Sequence, residues 1–137
     1  MKKMALDFGD VRIGIATSDI LGMLASGLET YTRKNLKQDI AHIVNLIEQH
    51  KVDTVVIGLP INMDGSHGKR VEVTKSFGEE LKKHTTAKIV YEDERLSSVE
   101  AEDILITSNM RREKRKEVID QLAAAIILQG YLDRNKF

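Results

Sequence analysis

The sequence predicts an α/β fold, a mixed five-stranded sheet with helices on both faces. Three observations predict it. Two short β-rich segments at the start of the chain are separated by turn chemistry, each later strand candidate is followed by a helix candidate, and Thr54-Val55-Val56-Ile57 contains an unbroken apolar run. Such a run is expected of a central strand covered on both faces.

Residues 4–8 (MALDF) read as the first strand, Gly9-Asp10 as a turn, and 13–19 (IGIATSD) as the second strand of a hairpin. A third extended segment falls near 24–32. Asn35 then stands at a helix N-cap with Gln38 in the capping-box position, and Leu36, Ile40, Ile43, Val44 and Ile47 form the apolar stripe of that helix. After the strand at 54–57, Gly58-Leu59-Pro60 turns the chain out of the sheet, and 61–70 (INMDGSHGKR) has the glycines and polar residues of a mobile surface loop. Val73, Phe77 and Leu81 mark a second helix, and Lys88 to Tyr91 a fifth strand. Ser97 and Glu100 form a capping box for a helix carrying Val99, Ala101, Ile104 and Leu105, and a last helix runs from about Glu113 to Asp133. Right-handed crossovers set the strand at 54–57 parallel to the first. Functional groups in such sheets collect at the carboxyl ends of the parallel strands.

A chain of 137 residues fits one ordinary domain, 1–137, too small for two lobes that close on a ligand. With no Cys, disulfides and thiolate zinc sites are excluded, and His42, His50, His67 and His84 lack the spacing of a zinc site. The start, Met1-Lys2-Lys3-Met4-Ala5, lacks the apolar run of a signal peptide, and no segment reaches membrane-spanning length. The expectation is a cytoplasmic protein without a membrane partner. Lys+Arg and Asp+Glu both number 21, so attraction to nucleic acid must come from local clusters. Arg111-Arg112-Glu113-Lys114-Arg115-Lys116 is one such cluster and Lys69-Arg70 a smaller one; each reads either as a phosphate-contacting patch or as a solvated surface.

Three acids carry the chemical expectation. Asp7 lies between Leu6 and Phe8 in an apolar strand, and Asp120 shares a helical line with Ala124, Ile127 and Tyr131. The run Glu92-Asp93-Glu94 ends a late strand; Glu94 is the first choice for its inward member and Asp93 the alternative. Carboxylates so placed are costly unless neutralised, by an internal Arg or by a bound divalent cation. Small Ala123 and Ala124 let the last helix approach the sheet and bring Asp120 towards Asp7. Arg12 and Arg95 each read as holding a carboxylate or binding a phosphate. Asp7-Phe8-Gly9 spells a kinase magnesium triplet without the lobe it needs, and Gly9 to Gly14 has the outer spacing of a phosphate loop but ends in Ile15-Ala16 instead of Lys and a hydroxyl.

Four blocks resemble the YqgF/RuvX family, described as Holliday junction resolvases or pre-16S rRNA nucleases. They are Ala5-Leu6-Asp7-Phe8-Gly9 with Arg12 to Ala16 and Ser18-Asp19; Val56 to Pro60 with Asn62 to Gly65; Asp93 to Ser97; and Asp120 to Ala124. The resemblance implies an RNase H-like fold and a nuclease in which Asp7, Glu94 and Asp120 hold Mg²⁺ or Mn²⁺ as catalytic ligands. It also implies that Arg12, Lys69, Arg70, Arg95, Arg111, Arg112, Lys114, Arg115 and Lys116 contact the nucleic-acid backbone. A resolvase acts as a symmetric dimer, and the sequence shows no dimer helix or exposed apolar stripe. The expectation is therefore a monomer or weak dimer that acts on structured RNA, processing the 5′ end of pre-16S rRNA in ribosomal precursor particles. Junction DNA is the alternative substrate. Rival readings are a non-catalytic RNA-binding assembly factor and an actin-like ATPase, the latter lacking its second lobe.

Overall fold

The computed structural model describes residues 1–60, 64–93 and 112–135, with side chains in the last helix from 118 onward. Five strands, β1 (Lys2–Phe8), β2 (Arg12–Ser18), β3 (Ala25–Thr32), β4 (Val52–Leu59) and β5 (Lys88–Asp93), form one sheet in the order β3-β2-β1-β4-β5. The first three strands are antiparallel neighbours, whereas β4 runs parallel to β1 and β5 parallel to β4. The expected hairpin and parallel crossover are both present. Helices α1 (Leu36–His50), α2 (Lys69–Lys82) and α3 (Arg112–Arg134) complete the described elements.

Strand alternation divides the sheet into two faces. Met4, Leu6, Phe8, Ile13, Ile15, Val55 and Ile57 join Ile40, Ile43 and Ile47 of α1 and Phe77 and Leu81 of α2 in one large cluster. On the other face, Ala5, Ala16 and Val56 pack against Ala124, Ile127, Leu128 and Leu132 of α3. Both α3 alanines foreseen as close-approach residues are fully buried. Hydrogen bonds pin α3 at two further places: Gln129 accepts from Ala25 N and donates to Met23 O, and Arg134 pairs with Glu92 at 2.6 Å.

Asn35 caps α1 as expected, accepting from Gln38 N at 2.9 Å, while its amide donates to the Gln38 side chain at 2.8 Å. Three local expectations are corrected. Strand β4 does not end at Ile57 but continues through Gly58 and Leu59, because β5 extends alongside and pairs with both. In α2 the buried line is Val71, Thr74, Phe77, Gly78 and Leu81, and Val73 is exposed. Leu36 of α1 is also exposed, while Leu46 takes a buried place. An apolar cluster absent from the sequence reading stands at the β2–β3 tip, where Ile20, Leu21, Met23 and Leu24 are all exposed. Asp19 holds this tip by accepting from Met23 N and Leu24 N. The helix expected from Ser97 lies outside the described residues.

Candidate functional site

Asp7 stands near the carboxyl end of β1 and is partly buried. Its neighbours Leu6 and Phe8 belong to the α1/α2 cluster and Ala5 to the α3 cluster, so alternation turns Asp7 to the α3 face. Its register partner on β2 is Gly14. On β4, continuing the Leu6–Ile57 register by one residue sets Gly58 at its other side. The acid is thus flanked on its own face by two residues without side chains.

Gly14 has a steric reason to be glycine. A Cβ at that position would overlap the Asp120 carbonyl and come within 2.8 Å of the Asp120 Cβ. Helix α3 therefore rests its backbone on β2 at Asp120, directly beside Asp7. Cross-strand Cβ positions lie about 5 Å apart, which puts the Cβ atoms of Asp7 and Asp120 within about 8 Å of each other. Two acids separated by more than a hundred residues meet on one face because glycine and alanine admit the helix.

Arg12 Nε donates to Asp120 Oδ2 at 2.8 Å. Of the two readings of Arg12, holding a carboxylate is the one the structure shows, and about half of its side chain remains exposed. The turn between β1 and β2 is closed by Gly9 N donating to Arg12 O at 2.9 Å. A Cβ on Gly9 would stand 2.7 Å from that same oxygen, so the turn leaves it no room.

Among the described residues no three His, Asp or Glu side chains form a metal-holding group. The described donors are the Asp7 and Asp120 carboxylates. Oxygen ligands of this kind fit a hard ion such as Mg²⁺ or Mn²⁺, and the Arg12 guanidinium already occupies part of the same negative field. Glu94 and Arg95 lie outside the described residues. The alternative acid, Asp93, pairs in register with Leu59 and follows Ile89 and Tyr91 on the α1/α2 face, whereas Glu92 on the α3 face is engaged by Arg134.

The foreseen cations are distributed. Lys69 and Arg70 are not in a loop but open α2, where they line a cleft of about 240 Å³ with Phe8, Asp10, Val73 and Thr74. This cleft adjoins the β1–β2 turn. Arg111 lies outside the described residues; Arg112, Lys114, Arg115 and Lys116 fall in the opening turns of α3, whose side chains are not described.

Two residues were missed in the sequence. Asp39 of α1 is completely buried, and Arg33 reaches it with Nε at 3.0 Å from Oδ2. Its other oxygen accepts from Tyr31 Oη at 3.0 Å and from Lys34 N at 2.9 Å. Burial pushes the Asp39 carboxyl up, but the Lys34 amide, Arg33 and Tyr31 together hold it below its ordinary value. The sequence did carry a signal: Asp39 precedes Ile43 by four residues and so lies on the apolar stripe, where a charge requires a partner.

Comparison with known proteins places the chain among nucleic-acid enzymes. A family model described as "RuvX: Holliday junction resolvase" matches residues 1–134. A protein of Carboxydothermus hydrogenoformans named "Putative pre-16S rRNA nuclease" is 52% identical over 133 residues, covering 97% of this chain and 96% of that one. One of the same name from Halalkalibacterium halodurans is 49% identical, covering 99% of each. Among solved structures, T. thermophilus RuvC in complex with a Holliday junction substrate superposes with a TM-score of 0.63 at 11% identity, over 98% of this chain and 95% of that one. A Fowlpox virus resolvase bound to junction DNA gives 0.62 at 12% identity, over 98% of each. At such identities these two establish the fold, and the expected RNase H-like architecture is the one found.

Proposed function

The chain belongs to the RuvX family of phosphodiester-cleaving hydrolases, and from that premise we propose that it is a divalent-ion-dependent nuclease acting on precursor 16S rRNA. The observation that carries the reading is the seating of the Asp120 backbone on Gly14, the register partner of Asp7. Asp7 and Asp120 converge there, and Glu94, next in the chain after β5, is the third acid. Strand parity counts against Asp93 as the alternative and thereby favours Glu94.

Asp7, Glu94 and Asp120 would hold Mg²⁺ or Mn²⁺, which when bound supplies electrostatic stabilisation of the charge developing on the scissile phosphate. Arg12 orients Asp120, and its exposed part meets a backbone phosphate. Lys69 and Arg70 position the strand across the cleft beside the turn, and Arg95, Arg111, Arg112, Lys114, Arg115 and Lys116 are the further candidates for backbone-phosphate contacts. Precursor rRNA is preferred over junction DNA because the relatives that share about half of this sequence carry the rRNA name, whereas the junction-bound structures share the fold alone.

Divalent-dependent cleavage of a pre-16S leader RNA, compared with a four-way DNA junction of equal charge, tests this function. Asp7→Asn should nearly abolish cleavage while circular dichroism and the melting midpoint stay at wild-type values. Equal cleavage by wild type and variant would sink the assignment, and preferential cutting of the junction would move it to DNA. Cleavage with the metal chelated would remove the ion from the mechanism.

A further inference from the structure

The turn that carries the site is held from the opposite face of the sheet. Arg33, just beyond β3, donates from Nη1 to Gly9 O at 3.2 Å, while its guanidinium lies 4.4 Å from the centre of the Phe8 ring. Its backbone N donates to Val11 O at 2.8 Å. Phe8 in turn packs on Phe77 of α2, with ring centres 4.5 Å apart. One side chain therefore touches the residue after Asp7 and the one after that, and its main chain holds the residue before Arg12. The Asp39 carboxylate fixes the guanidinium in that pose through its bond to Nε.

We propose that Arg33, anchored by buried Asp39, is a positioning residue for the β1–β2 turn, fixing where Asp7 and Arg12 stand relative to Asp120. The chemistry selects Arg for this place. Its planar fork bonds a carboxylate with one nitrogen and a carbonyl with another while stacking on an aromatic face, and a lysine ammonium offers no such plane. A simple need to neutralise Asp39 would be met by any cation. The extra contacts to Gly9 and Phe8 point to geometry as the role.

This inference rests on the nuclease reading for its kinetic arm only. Arg33→Lys separates the two roles, since it keeps a charge for Asp39 and loses the bridge to Gly9. It should melt near the wild-type temperature yet show kcat reduced by about tenfold or more with KM unchanged, as a misplaced catalytic group does. Ile43→Ala, a core truncation in the helix that carries Asp39, serves as the control. At a temperature where every variant is folded it should lower stability and leave kcat in place. Amide hydrogen exchange supplies a readout without substrate: the amides of Gly9 and of residue 33, which bond Arg12 O and Val11 O, should exchange faster in Arg33→Lys, with the amides of β4 unchanged. Unchanged turn exchange would overturn the proposal whether or not the protein cuts RNA. A rise in KM at constant kcat would make Arg33 a substrate contact instead, and a kcat loss shared by Ile43→Ala would reduce it to a structural residue. Wild-type protein that cuts nothing, with fast turn exchange in the variant, would reject the nuclease reading and keep the clamp.

Discussion

Facing α1 and α2, strands β1, β2 and β4 carry Met4, Leu6, Phe8, Ile13, Ile15, Val55 and Ile57; facing α3, the same strands carry Ala5, Asp7, Gly14, Ala16, Val56 and Gly58. The first set fills space. Each large side chain removed from water there contributes about 1.5–3 kcal/mol, which makes that face the main source of stability. The second set is small, so it contributes less burial and lets a helix backbone sit on the sheet. Closeness is what brings Asp120 to Asp7. Period-two alternation thus lets one run of residues supply the core with its even members and the candidate site with its odd ones, as Leu6, Asp7 and Phe8 do in β1.

If that division is right, the two faces should fail differently. Leu6→Ala leaves a cavity in the large cluster and should cost about 2–5 kcal/mol by denaturant titration, while cleavage per folded molecule stays near wild type. A strong loss of activity in the folded variant would break the comparison, because it would mean the stabilising face also sets the site. Gly14→Ala should do the reverse. Its added methyl meets the Asp120 backbone and not a flexible side chain, so α3 must shift; about 1–3 kcal/mol of stability is lost together with most cleavage. A fully active Gly14→Ala enzyme would show that the approach of α3 does not matter.

The same contrast explains what the sequence disclosed. Turn chemistry made the β1–β2 hairpin legible, the unbroken apolar run β4, and helical spacing α1 and α3, whereas β3 was only weakly patterned; Ala123, Ala124 and Asp120 advertised a close-packed helix bearing an acid. Gly14 was read as part of the second strand, of the family block and of a failed phosphate-loop motif, without its steric role, because that role depends on a helix more than a hundred residues away. Asp39 and Arg33 were passed over for a related reason: a charge inside an amphipathic stripe makes sense only once its partner is known. Val73 was misjudged because a four-residue spacing fits more than one helical line, and the sheet selected the line through Thr74 and Leu81.

Cations on α2 sharpen the comparison from the other side, since the stabilising face ends in a cleft beside the site turn. Replacing Lys69 and Arg70 with Met should weaken RNA binding and lower the steepness of its salt dependence by roughly 0.7–0.9 for each phosphate no longer neutralised. Neutralising Arg111, Arg112, Lys114, Arg115 and Lys116 should lower it further. An unchanged slope in either variant would remove that cluster from the interface.

The smallest effect expected is a pH dependence of stability that arises outside the Asp7–Asp120 site. Asp39 is held below its ordinary value, burial working against the Lys34 amide, Arg33 and Tyr31, and Asp53 is held low in the same way, burial working against its 2.7 Å bond to Lys3. A carboxylate with a depressed folded pKa adds stability in full above the unfolded value, about 3.9, and loses it as pH falls through the folded value. Stability should therefore be flat near neutrality and decline below about pH 4. At the alkaline end, burial and then Glu79 push the Tyr91 hydroxyl up to about 12, so its contribution is complete below the ordinary tyrosine value and disappears as pH rises towards 12. Removing the Tyr91 hydroxyl with Tyr91→Phe should make the alkaline limb shallower, with Tyr31, which burial and Asp39 also push up, supplying what remains. It should take a small part of the acid limb with it, because after Lys82 that hydroxyl also helps to hold Glu79 low. An alkaline limb of unchanged steepness in that variant would show that another group titrates there.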